Sequence, residues 1–143
     1  MKPIGQTLRK ILYALTFFVL ISCKKDSEIK KLNGELIGAW ELSSSSGFDE
    51  GTQDYADGNG NKLIFTKSTL TVYENNSLKG TTNYSIVRKD DCENAKKYLY
   101  LGTSDNSVYY TDDIISVSGD ELRLSSVPPC GADGGVSIYK RVD

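Results

Sequence analysis

No histidine occurs anywhere in the 143 residues. Its absence removes the commonest general base near neutral pH and the commonest metal ligand, which excludes Ser-His-Asp and Cys-His catalysis. Positive charge is not in excess either. Lys and Arg number 17 against 19 Asp and Glu, for a net charge of −2. No basic patch of the kind that tracks a phosphate backbone is visible, so nucleic acid is not an expected partner. Long hydrophobic runs are missing apart from Ile11–Ile21, which is apolar except for Thr16. A 38% hydrophobic share with 25% charged residues leaves room for one water-soluble domain and none for a polytopic membrane protein.

The one greasy run follows Lys2, Arg9 and Lys10, with no acid before it. A positive segment followed by a short apolar one is what a secretory translocon accepts. About eleven residues at 1.5 Å rise cover roughly half of a 30 Å bilayer core, too little for a spanning helix. A buried core helix is excluded because the run is apolar all round and has no second element of its kind to pack against. Next comes Leu20-Ile21-Ser22-Cys23, which resembles the bacterial lipobox. That resemblance implies cleavage before Cys23 and lipidation of its thiol, the only side chain there able to form a diacylglyceryl thioether. The alternative is an ordinary signal whose cleavage site contains a cysteine. One acyl chain holds a protein only marginally, at about 0.8 kcal/mol per buried methylene, and two or three anchor it durably.

On this reading residues 1–22 are a signal peptide, 23–31 a polar tether and 32–143 the folded domain. Loss of Lys2, Arg9 and Lys10 takes the net charge from −2 to −5. The tether Cys23-Lys24-Lys25-Asp26-Ser27-Glu28 looks like the tags that place some lipoproteins on the cell surface. A solvated linker without an address is the alternative. The protein is expected in the cell envelope, tethered to the outer membrane by its lipid. Using Cys23 for lipid leaves Cys92 and Cys130, an even pair in an oxidising compartment. A disulfide between them is expected to contribute about 3–4 kcal/mol by restricting the unfolded chain. Neither lies beside a basic cluster that would activate a thiol, so redox catalysis is disfavoured.

Beyond the tether, stretches of β-formers recur at Gly38–Ser43, Lys62–Thr66, Thr69–Glu74, Thr81–Arg88, Lys97–Leu101, Ser107–Val117, Glu121–Ser125 and Val136–Arg141. Turn residues separate them: Asp57-Gly58-Asn59-Gly60-Asn61, Asn75-Asn76, Ser118-Gly119-Asp120 and Gly134-Gly135 supply the positive φ angles that hairpins require. Only Ser27–Leu32, ended by Asn33-Gly34, and Cys92–Lys96 suggest short helices. No crossover helix is available for a parallel sheet. The expectation is an all-β antiparallel up-and-down meander of eight strands. Period-two alternation puts Leu36, Gly38, Trp40 and Leu42 on one face and Ile37, Ala39, Glu41 and Ser43 on the other. In Tyr98-Leu99-Tyr100-Leu101 either pair can face inward.

Eight antiparallel strands can close into a barrel, which removes both sheet edges. Leu36-x-Gly38-x-Trp40-x-Leu42, the strand count and the last strand Tyr139-Lys140-Arg141 resemble the lipocalin-like domains of bacterial lipoproteins over about Leu32 to Asp143. The resemblance implies an eight-stranded lipocalin-like barrel whose closed end is sealed by Trp40 packing against Arg141. It also implies a first inter-strand loop lying over the open mouth. That loop, Ser44–Asn61, reads as the longest stretch without structure, and its Phe48 and Tyr55 are the candidate ligand contacts; a mobile solvated loop is the alternative. The second lipocalin signature has only a partial echo in Thr111-Asp112-Asp113, and an open β-sandwich of the same strands is the competing fold.

Asp57-x-Asn59-x-Asn61 has the alternating oxygens of a calcium loop, but Lys62 and Ser68 stand where glycine and glutamate are required, so a hairpin turn is the better reading. Asp90-Asp91 and Asp112-Asp113 read as turn charges, and no metal or cofactor is expected. Nothing spaces two carboxylates for glycoside hydrolysis, so no catalytic residue is assigned and the chain is not expected to be an enzyme. Two functions remain open. One is a binding module holding a small, partly apolar ligand in the barrel mouth. The other is an interaction protein with a filled barrel that contacts envelope proteins or glycans through its loops.

Overall fold

The fold was analysed in a computed structural model that describes residues 27–47, 51–90, 97–103, 113–126 and 134–142. The chain divides into two compact units, Met1–Lys31 and Leu32–Asp143. Helix α1 spans residues 27–36 and crosses that division. The strands are β1 (Gly38–Gly47), β2 (Gly51–Asp54), β3 (Lys62–Phe65), β4 (Thr69–Glu74), β5 (Ser77–Asp90), β6 (Lys97–Thr103), β7 (Asp113–Ser118), β8 (Glu121–Ser125) and β9 (Val136–Val142).

Every pairing is antiparallel, and β1 pairs with β9 as well as with β3, so the sheet closes on itself. The result is an eight-stranded up-and-down barrel of lipocalin-like fold. The short β2 shares one edge of β1 with β3: Ser44–Gly47 pair with β2 and Gly38–Glu41 with β3. Closure pairs every strand from β1 and β3 to β9 on both sides, with the β6–β7 seam joined at Tyr100–Ile114 and Leu101–Asp113 among the described residues.

Tight turns set the register where the side chains permit them. Asn75 and Asn76 both take positive φ between β4 and β5, and Gly119 does so between β7 and β8. These are two-residue hairpin connections, for which Asn and Gly carry the smallest steric cost. Alternation then fills the interior. Leu63 and Phe65, Leu70 and Val72, and Leu122 with Leu124 are buried on the inner face. Phe65 meets Tyr84 edge to face, with ring centroids 5.2 Å apart, a geometry that aligns the positive ring edge with the negative face.

Four local expectations are corrected. Leu36 does not open a strand: α1 runs through Asn33-Gly34 to residue 36, because Leu32 and Leu36, one turn apart, are both buried. Ser44–Asn61 is not a structureless loop, since Ser44–Gly47 extend β1 and Gly51–Asp54 form β2. The serines are weak strand formers, yet partners on both edges hold them, β2 on one side and Val136–Ile138 of β9 on the other. β5 starts at Ser77, four residues before the expected Thr81, because its first half pairs with β4 and its second half with β6. On β6, Leu101 is fully buried and pairs with buried Ile86, so it faces inward and Tyr100 outward, beneath the Lys89 ammonium at 5.1 Å. The expected helix at Cys92–Lys96 and the strand residues Ser107–Asp112 lie outside the described residues.

Leu122 sits at 0% exposure between Val117 and Tyr139. Truncating it leaves a void that a closed barrel cannot collapse. Leu122→Ala should lower unfolding free energy by about 2–5 kcal/mol in urea titrations.

Candidate ligand site

The base of the barrel is built around Trp40 and Arg141, neighbours in the β1–β9 register. Trp40 is fully buried, and its Nε1–H donates to the Leu36 carbonyl at 2.8 Å. The Arg141 guanidinium lies 4.1 Å from the indole centroid. Its Nη2 donates to the Glu35 carbonyl at 2.7 Å and its Nη1 to the Ile37 carbonyl at 3.0 Å. Its Nε stands 3.5 Å from the Asp120 carboxylate. A helix end leaves carbonyls unsatisfied and carries partial negative charge. Here one cation and one indole N–H satisfy three successive carbonyls while the two rings stack. The stack itself contributes about 0.5–2 kcal/mol, depending on desolvation.

Gly38 is what lets the chain turn from α1 into β1. Its φ is +137°, and a Cβ there would stand 2.7 Å from Nη1 of Arg141. Both conformation and space require glycine.

Above the base, β1, β9 and β8 present rows of inward side chains. Trp40 lies beside Arg141, Leu42 beside Tyr139 and Leu122, and Ser45 beside Ser137 and Leu124. The row assignment turns on a bulge between Leu42 and Ser44. One extra residue there exchanges the faces, so Ser45 rather than Ser44 is inward. The Ser43 hydroxyl donates to the Ile138 carbonyl at 3.1 Å across the bulge. Accessibility on β1 rises along this wall, from none at Trp40 to half-buried at Leu42 and Ser45, while Ser137 on β9 is half-buried as well. Solvent therefore reaches inward positions at the end away from α1. Tyr55, just after β2, leans to the same place, its hydroxyl 3.2 Å from that of Ser45.

The segment 55–61 between β2 and β3 folds over the outer face of β1, where it covers Glu41. The carboxylate accepts the Gly58 amide at 2.7 Å and the Gly60 amide at 3.1 Å, with the Lys62 ammonium at 3.5 Å. Both glycines have φ of 78°, a left-handed backbone that lets the two alternate amides converge on one carboxylate. Asn59 ties the segment down by donating to the Leu42 and Ala56 carbonyls. Burial opposes ionisation of Glu41, but the two amides and Lys62 outweigh it and hold the carboxyl below its ordinary value of 4.5. Of the Asp57-x-Asn59-x-Asn61 oxygens, Asn59 Oδ1 accepts the Asn61 amide at 2.9 Å and Asn61 Oδ1 the Asn75 amide at 3.0 Å, so both serve turns. Among the described residues no group of three His, Cys, Asp or Glu is placed to hold a metal.

Of the residues singled out in the sequence, Trp40 and Arg141 are brought together, and Tyr55 stands at the accessible end of the wall. Phe48, Cys23, Cys92 and Cys130 lie outside the described residues, as do Asp91 and Asp112. Ser45, Ser137 and Glu41 were not legible as site residues: serines carry no periodic signal, and an outward glutamate gives no sign of being covered. The four-serine run at Ser43–Ser46 was the available hint.

The chain matches no family model, no curated protein and no solved structure. The fold and the geometry of the wall therefore carry the functional reading.

Two substitutions test this construction. Gly38→Ala should cost about 1–3 kcal/mol, the range for backbone strain, with Trp40 emission moving to the red as the seal loosens; Trp40 is the sole tryptophan, so fluorescence reads it directly. A carboxyl whose folded value lies below 4.5 contributes stability above that pH and loses it as the pH falls further. The covering over Glu41 is one loop thick and water screens it, so Glu41→Gln should cost roughly 1–2 kcal/mol at pH 7. The gap from the wild type should narrow in urea titrations below about pH 4.5.

Proposed function

We propose that this chain is a non-enzymatic envelope lipoprotein, held at the outer membrane by lipid on Cys23, whose barrel takes up a small, partly apolar molecule at the end away from α1. The observation that carries the proposal is the gradient on the β1–β9 wall. Trp40 on β1 and Tyr139 on β9 are buried, and the inward residues beyond them, Ser45 and Ser137, are half-buried and hydroxyl-bearing. An apolar floor with a few polar groups near the entrance is the usual composition of a small-molecule site. Tyr55, at 3.2 Å from Ser45, supplies the aromatic contact at this entrance, and Phe48, between β1 and β2 in the chain, is the second candidate contact.

The signal peptide, the lipobox-like Leu20-Ile21-Ser22-Cys23 and the acidic domain after it support anchoring at a membrane surface without insertion of the barrel. In that oxidising setting Cys92 and Cys130 pair as a disulfide. The chain has no histidine, and among the described residues no group of three His, Cys, Asp or Glu converges, which supports a carrier or sensor over an enzyme.

One experiment tests the whole reading: native and denaturing mass spectrometry of the protein isolated from its own bacterial envelope. The expected spectrum shows Cys23 as the first residue carrying acyl chains, a two-hydrogen deficit at Cys92 and Cys130, and a non-covalent companion mass of a few hundred daltons. An unacylated chain refutes the anchor. An acylated chain with no companion refutes the ligand and favours a filled barrel acting through its outer surface.

A further inference from the structure

Resting on the lipid-anchor reading above, we infer that the domain stands on an anionic bilayer with its sealed base toward the lipid and its mouth toward water. A ligand then enters from the aqueous side and not laterally from the membrane. The inference comes from where the strands put the anchor and the charges. β1, β4, β6 and β8 run away from the Trp40–Arg141 base, and β3, β5, β7 and β9 run back to it. The chain therefore enters the barrel at the base, through the last turn of α1 with its buried Leu32 and Leu36.

The two ends differ in charge. At the mouth stand Asp54, Glu74 and Asp113, with Lys79 ion-paired to Glu74 and Lys62 to Glu41. The chain that joins the strands at this end, 48–50, 104–112 and 127–133, adds Asp49, Glu50, Asp105, Asp112 and Asp133 and no Lys or Arg. The base carries both signs, Lys67, Lys89, Lys140 and Arg141 among them beside Glu35, Asp90, Asp120 and Glu121. An anionic surface acts over about 8 Å at physiological salt. From Trp40 to Gly47 the barrel rises roughly 16 Å, at about 3.3 Å per residue and a tilt near 45°. Inverting it would carry the acids from beyond the reach of the surface charge into it.

The tether acts in the same direction. Cys23 to Leu32 spans at most about 30 Å if extended and about 20 Å with α1 formed, which keeps the base close to the lipid. Exposed apolar side chains agree with this orientation. Ile37, 42% exposed, lies at the base and Val87, 38% exposed, on the half of β5 nearer to it. Leu78 is exposed at the mouth, but it adjoins the Glu74–Lys79 ion pair, and one leucine among carboxylates does not make a surface that enters lipid.

The test uses the full acylated protein, isolated from its own envelope and reconstituted in vesicles of phosphatidylethanolamine and phosphatidylglycerol with a trace of dansyl-phosphatidylethanolamine. Flotation in high salt selects chains held by lipid and not by charge. Trp40, the sole tryptophan, marks the base. Leu78→Trp in a Trp40→Phe background marks the mouth, with circular dichroism verifying its strands. Energy transfer to dansyl is expected to be at least threefold stronger from Trp40 than from position 78. A second variant, Asp54→Lys with Glu74→Lys, keeps the native Trp40. Its Trp40 transfer should fall at least twofold on these vesicles and match the wild type on phosphatidylcholine. Transfer equal at the two sites or stronger from the mouth, or a charge reversal without effect, overturns the orientation and leaves the anchor standing. Loss of the protein from the floated vesicles overturns both.

Discussion

A single guanidinium connects the parts of this molecule. Arg141 comes from the last strand, stacks on an indole from the first, and donates to backbone carbonyls at the end of α1 and just past it. Each partner alone gains little. The stack is worth at most a couple of kcal/mol, and a helix end can leave its carbonyls to water. Their combination ties the two ends of the domain where the barrel must close. Deleting the arginine would leave the part-buried Glu35 carbonyl, the Ile37 carbonyl and the face of the buried indole without their cation, and a group left unpaired away from water costs more than its bond contributes.

The rest of the barrel is arranged around that plug. With the base occupied by Trp40, Leu36 and Phe65, the interior is dry at one end. The walls become polar only where β1 passes its bulge. The bulge exchanges faces and delivers serine hydroxyls to the lumen, and β2 lines up beside them because Ser44–Gly47 need a partner beyond the reach of β3. The segment that joins β2 to β3 is then too long to lie flat. It folds outward onto Glu41, where two left-handed glycines turn their amides toward the carboxylate. One irregularity in register thus produces both the polar lumen and the covered glutamate.

Much of the framework was legible in the chain. Thr69–Glu74 and Glu121–Ser125 carry clean alternation next to Asn, Asp and Gly turns, and they form strands at those places. The pairing of Trp40 with Arg141 was reached through resemblance, not through periodicity. What escaped was everything with a non-local cause. Ser43–Ser46 has little strand propensity, and it is extended because neighbours on both edges complete its hydrogen bonds. Asn33-Gly34 looks like a helix stop, and burial of Leu32 and Leu36 overrides it. Tyr100 and Leu101 are indistinguishable until their register with β5 decides which one faces the core.

The amino-acid order by itself determined the class of the fold, the places where the chain reverses, the apolar run Ile11–Ile21 and the absence of histidine chemistry. These depend on local conformational cost, short-period burial and side-chain identity. Only the tertiary structure decided which serines face the lumen, that Glu41 is covered, and that Gly38 must yield space to Arg141. Those outcomes depend on contacts between residues as much as 104 positions apart, which no local pattern encodes.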